Sequence, residues 1–185
     1  RPATYADTDW ALSKDDIDRW RSLLSILEAD TLLDRFRWIF KDSYVDIVEI
    51  DKRHLGWEET FEQSCIYKYN AIAQIVQSYG FNGIRQFVKM VGCPNEVGEA
   101  YAYKADTTAY RNVLDLMLED SEESIISFAK GFFRRYTFRN GIDNVIALLH
   151  SLDIKKYETV IVIPITVAPC ACQSMWDYIK TLPNH

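Results

Sequence analysis

The sequence predicts an all-α fold: a right-handed stack of antiparallel helix pairs, about five of them, forming an α-solenoid. Three observations lead there. Apolar residues recur at helical spacing through most of the chain, most clearly over residues 121–152. Glycines stand where those stretches should stop, at Gly80, Gly92 and Gly141. Pair starts fall near residues 14, 57, 95, 122 and 154, roughly 30 to 40 residues apart, a period typical of helical-repeat solenoids. The units share little sequence, so the periodicity is structural.

Residues 1–12 lack a pattern and form a lead-in; residues 13–185 read as a single helical repeat domain. Ser13 caps the first helix, with Asp16 three positions on as an imperfect capping box. Ile17, Trp20, Leu24 and Leu27 mark its inner face. Asp30 caps a short helix holding Leu32, Leu33, Phe36, Ile39 and Phe40. Residues 41–56 carry Tyr44, Val45, Ile47, Val48 and Ile50 without a clean period; they read as an ordered connection, a short strand being the alternative.

A long helix follows over residues 57–79, with Cys65, Tyr69, Ile72, Val76 and Tyr79 on its face and Gly80 ending it. Asn82 caps its partner, which carries Ile84, Phe87, Val88 and Val91 and stops at Gly92. Pro94 opens the next helix, to about Lys104, because its fixed φ and missing amide are harmless there. Asp106 caps another, with Tyr110, Val113, Leu114, Met117 and Leu118 on one side.

Ser121 then caps the clearest helix, with Glu122 and Glu123 at the positive end of the dipole. Ile125, Phe128, Ala129, Phe132 and Tyr136 share a face, and Ile126 and Phe133 widen it, so this helix is covered on two sides. Gly131 in its middle costs about 1 kcal/mol against alanine; close approach of another helix would offset that. Beyond Gly141, a partner carries Ile142, Val145, Ile146 and Leu149. Asp153 caps residues 154–163, whose β-branched content suits a strand. A lone strand has no partner, so a short buried helix ending near Pro164 is preferred. The last helix starts at Pro169 or Cys170 and packs through Met175, Trp176, Ile179 and Leu182.

The chain has 185 residues, 48% of them apolar, enough for a real core and too apolar for disorder. Its net charge of -6 argues against general nucleic-acid binding. The four cysteines, Cys65, Cys93, Cys170 and Cys172, are unevenly spaced and read as reduced thiols of a cytoplasmic protein, not a disulfide framework. No apolar run reaches membrane-span length. The chain opens on Arg1 and not on Met, which fits a piece of a longer protein.

Three segments carry a resemblance: residues 34–40 (DRFRWIF), residues 128–141 (FAKGFFRRYTFRNG) and residues 174–182 (SMWDYIKTL). In order and spacing they resemble a HEAT-like helical region of large bacterial multidomain proteins. In that region a W-L-F-like, a G-F-x-R-R-like and an A-L-P-F…T-W-D-like element succeed one another. Pro164 stands in the place of the last element's proline, without the phenylalanine that should follow. The resemblance covers most of the chain from Trp10 onward. It implies a scaffold or sensor region of a larger protein and carries over no catalytic residues.

The candidate sites each have a plainer reading. Cys170 and Cys172, with His150 or His185, could hold a soft metal, but their spacing is tighter than a zinc pair and there is no second pair. Small buried thiols at a helix start are the preferred account. Arg134, Arg135 and Arg139 could bind a phosphate, nucleic acid or an acidic partner. Compensation of the helix dipole, with contacts to Asp143 or Glu119, explains them more simply. Tyr101, Tyr103 and Tyr110 could line a binding groove, or belong to the core. His54 with Glu58 and Glu59 suggests acid–base or metal chemistry, but lacks the H-E-x-x-H geometry.

The function expected from these readings is a non-enzymatic interaction or scaffold module, binding another protein or flanking domains and needing no cofactor. Neither nucleic acid nor membrane is an expected partner. A ligand- or peptide-sensing domain with a pocket between helix pairs is the second expectation. A metal-dependent enzyme using Cys170 and Cys172 is the third.

Overall fold

A computed structural model describes residues 13, 15, 16, 19, 31–43, 47, 55–167 and 173–182. All regular structure among them is helical, with no strand. The chain forms two compact units, Arg1–Arg35 and Phe36–His185.

In the first unit the Asp16 amide donates to Ser13 Oγ (3.1 Å), and the Ser13 hydroxyl donates to Asp16 (2.7 Å), as the capping pattern predicts. Helix α1 (Leu32–Arg37) is capped by Thr31; Asp30, the expected cap, lies outside the described residues. Thr31 lies three residues before Asp34, so its hydroxyl can accept the Asp34 amide (3.1 Å) while donating to the Asp34 carboxylate (2.7 Å). A 3-10 turn, Trp38–Phe40, then buries Ile39 and Phe40. Of the expected connection over residues 41–56, Ile47 is fully buried and most of the rest lies outside the described residues.

Helix α2 (Trp57–Val88) opens with the Gly56 amide donating to Glu59 Oε2 (2.9 Å). It breaks where predicted, at Gly80, whose φ of 64° and ψ of -161° suit glycine. The chain there doubles back: a β-carbon on Gly83 would sit 2.6 Å from the Cβ of Tyr79 and 3.1 Å from a methyl of Ile75. A continuous helix keeps such residues apart. Asn82, the expected cap, is exposed inside the second arm, since the break already lies at Gly80. The first arm of α2 buries Ala71, Ile72 and Ile75, and the second buries Ile84, Phe87 and Val88; Tyr79 is exposed. The second arm stops at Val88, before Gly92, as the Lys89 and Met90 amides turn back onto the Gln86 and Phe87 carbonyls.

Helix α3 (Pro94–Ala102) begins on Pro94 as predicted, and the Cys93 amide ties it to the Phe40 carbonyl (2.9 Å). Helix α4 (Thr107–Glu119) is capped by Asp106, whose Oδ1 accepts the Ala109 amide (2.8 Å). Tyr110, Val113, Leu114 and Met117 are buried as the spacing predicts. Leu118 is 39% exposed, and Leu116 is buried instead.

Helix α5 (Glu123–Asn140) starts two residues beyond Ser121, the expected cap. The Asp120 carboxylate makes the local bonds instead, accepting the Glu122 amide (3.1 Å), Lys89 (2.8 Å) and Arg85 (3.3 Å). The Lys89 ammonium holds the Asp120 carboxyl below the usual carboxylate range. Gly141, at φ 80°, separates α5 from α6 (Ile142–His150).

The region expected as one helix over residues 154–163 is two short helices. Asp153 caps α7 (Ile154–Tyr157) by accepting the Lys155 amide (3.1 Å). After a turn comes α8 (Val162–Val167). Pro164 does not end a helix there; it is buried in the first turn of α8, where a missing amide costs no bond. The strand alternative does not occur. Helix α9 (Gln173–Ile179) buries Met175 and Tyr178, while Trp176 is half exposed. The starts expected at Pro169 or Cys170 lie outside the described residues.

The core of the second unit is organised around α5, which packs on α2, α3, α4, α6 and α8. Its tightest contact is with α3. A β-carbon on Gly131 would lie 2.0 Å from the Asn95 carbonyl oxygen, and one on Gly98 would lie 2.0 Å from the Phe128 carbonyl oxygen. The two glycines let the backbones touch, which explains a glycine in mid-helix. Next to this contact Phe132 is fully buried, its ring 5.6 Å from Tyr101, 5.4 Å from Phe133 and 5.7 Å from Tyr136. Burial pushes the Tyr110 phenol, 4.8 Å from the Phe133 ring, far above its ordinary range.

Candidate functional site

Helical spacing puts Trp57, Phe61, Ser64, Cys65 and Lys68 along one side of the first arm of α2. That side faces Glu96, Glu99, Ala100 and Tyr103 of the α3 region across a pocket of about 260 Å³, and Arg135 of α5 closes it. The glycine contact between α3 and α5 sets Arg135 beside the α3 wall. Residues of α3 cannot shift along α5 without driving backbone into backbone.

The mouth is apolar. Trp57 and Phe61 are 79% and 51% exposed, and their rings stack at 5.7 Å, 9° from parallel. Large aromatics left in water beside a concavity are a common mark of an anchoring surface. The interior holds an ion pair, Lys68 to Glu96 at 2.6 Å, with side chains only 12% and 18% exposed. The Tyr69 and Tyr103 rings meet at 5.4 Å beside it. Burial pushes the Cys65 thiol above its ordinary range, so it stays protonated at neutral pH.

The three arginines do not form one cluster. Arg134 pairs with Glu99, not with Asp143 or Glu119; Glu119 takes Arg85 (2.9 Å). Arg139 donates to the carbonyls of Ala102 (2.9 Å), Tyr103 (2.5 Å) and Ala105 (2.8 Å). It therefore binds carbonyls at and just beyond the C-terminal end of α3, a different helix from its own. Arg135 has neither kind of partner among the described residues. Its guanidinium lies 5.6 Å from the ring centres of Tyr103 and of Phe138, the latter 80% exposed. Cation–π contact of this kind leaves the guanidinium's hydrogen-bonding edge free.

Tyr103 thus lines the pocket, as the groove reading expected. Tyr101 turns to the core, 5.7 Å from Phe81 and 5.6 Å from Phe132, and Tyr110 is fully buried. His150 packs edge-on against Tyr178 at 4.9 Å. Glu59 is engaged in capping α2. Cys170, Cys172, His54 and His185 lie outside the described residues. Among the described residues no three His, Cys, Asp or Glu side chains are grouped so as to hold a metal ion, and no helix is long and apolar enough to cross a membrane.

Trp57 and Phe61 were not singled out from sequence, though a signal was present. They are two aromatics four residues apart among Glu58, Glu59 and Glu62, at the start of a long helix. No protein-family model, curated protein or solved structure matches the chain.

Proposed function

We propose that the chain is a non-enzymatic interaction module, its helix pairs stacked as an α-solenoid, working in the cytoplasm as part of a larger protein. It engages a protein partner, or a neighbouring region of the same protein, through the face that carries Trp57, Phe61 and Arg135. One observation supports this above the others: two large stacked aromatics stand exposed at the rim of a pocket. Exposing them costs solubility, which a partner that covers them would offset. The pocket's size bears on the sensing alternative. Small-molecule sites commonly measure about 300–1,000 Å³, and this one, at about 260 Å³, suits one anchoring group better than a whole ligand.

The test is site-specific photocrosslinking in the native host. A benzoyl-phenylalanine placed at Phe61 should give a discrete protein adduct that disappears when Trp57 is replaced by serine. The same probe at Gln77, an exposed position elsewhere on α2, is the control. An adduct pattern at position 61 no different from that at 77 would count against the interaction face.

A further inference from the structure

Within this interaction reading, on which the inference rests, the pocket also specifies the partner's chemistry. Of its charged lining groups, Lys68 and Glu96 neutralise each other (2.6 Å) and Glu99 is taken by Arg134. Arg135 alone lacks an opposite charge among the described residues. It is half-buried, lines the cavity and lies against the Tyr103 and Phe138 rings. A guanidinium fixed in this way is matched by a planar carboxylate, which can accept two parallel N–H bonds from it. The same cavity is rimmed by the Trp57–Phe61 stack, which is matched by a flat apolar group.

We propose that the pocket binds a peptide segment in which a large aromatic residue lies beside an aspartate or glutamate. The aromatic side chain packs against Trp57 and Phe61, and the neighbouring carboxylate pairs with Arg135. Recognition is local, because the domain's overall charge of -6 repels an acidic peptide at long range. A peptide is preferred to a free acid because the cavity holds one side chain, while the exposed Phe138 beyond Arg135 extends the surface past it.

Calorimetric titration of the full chain tests this with acetyl-Gly-Asp-Trp-Asp-Gly-amide and its counterpart in which both aspartates are asparagine. The acidic peptide should bind about tenfold or more tightly than the neutral one, the usual worth of a charge-assisted bond. Arg135→Gln should abolish that preference. Arg135→Lys should restore part of it, and Trp57→Ala should weaken both peptides alike. Equal affinity of the two peptides, or a preference that survives Arg135→Gln, overturns the inference. If that happens while Trp57→Ala still weakens binding, the interaction face stands and only its carboxylate preference falls. Failure of both peptides to bind at millimolar concentration overturns it too. Indole-3-acetate binding as tightly as the acidic peptide would assign the pocket to a free acid and overturn the peptide assignment.

Discussion

Gly98→Ala and Gly131→Ala should each destabilise the protein, although helix propensity alone would favour alanine by about 1 kcal/mol. The overlap decides the sign. A methyl 2.0 Å from a backbone carbonyl oxygen cannot be relieved by a side-chain rotation; the helices must separate. Overpacking of this kind costs about 1–3 kcal/mol or more, and a rigid backbone neighbour puts both sites at the upper end. The net loss should be about 2 kcal/mol or more after the propensity gain. The two sites report on one contact: Gly131 meets Asn95, and Gly98 meets Phe128, on the same pair of helices. Once either alanine has pushed α3 and α5 apart, the second meets a wider gap. The double variant should therefore cost clearly less than the sum, a coupling readable from urea midpoints at constant m. Simple additivity, or alanine variants as stable as the parent, would mean the backbones are not in contact.

Phe132→Ala should cost about 3–5 kcal/mol, the range for an aromatic truncated in a closed core. Phe132 is fully buried, with the rings of Tyr101, Tyr110, Phe133 and Tyr136 all about it, so collapse around the void requires several large side chains to move together. Phe138 supplies the control on the same helix. It is 80% exposed and touched by Arg135, so Phe138→Ala should cost less than about 1 kcal/mol. Equal losses at the two positions would show that α5 does not bury the face described.

Helix positions were legible because their causes are local. Ser13 and Asp106 cap through their own hydroxyl or carboxylate, Pro94 opens a helix by its fixed φ, and Gly80 and Gly141 break helices through positive φ. The wide apolar face of α5 was also readable, and the mid-helix Gly131 announced a close neighbour. Which backbone would touch it was not readable, because Asn95 lies 36 positions away and nothing in either segment names the other. Gly98 drew no notice for the same reason: in a short helix it resembles any tolerated glycine.

The arginines show this limit most clearly. Their clustering was plain in sequence, but each serves a different end. Arg134 has Glu99, Arg139 has the carbonyls closing α3, and only Arg135 reaches the pocket. Those partners lie 34 to 37 residues earlier in the chain, so their assignment depends on the α3–α5 register. The pocket was invisible for a related reason. Its apolar lip comes from α2, its tyrosine from the end of α3 and its arginine from α5.

Helices α3 and α5 form one rigid contact that fixes Arg135 beside the α3 wall of the pocket. Hydrogen exchange of the backbone amides, followed by mass spectrometry, tests it directly. Amides of α3 and of residues 128–136 should be the slowest in the second unit and should exchange together. Gly131→Ala should speed both sets by a common factor. If α3 exchanges quickly while α5 stays protected, or if Gly131→Ala speeds α5 alone, the two helices are not locked. Arg135 would then have no fixed place beside Tyr103.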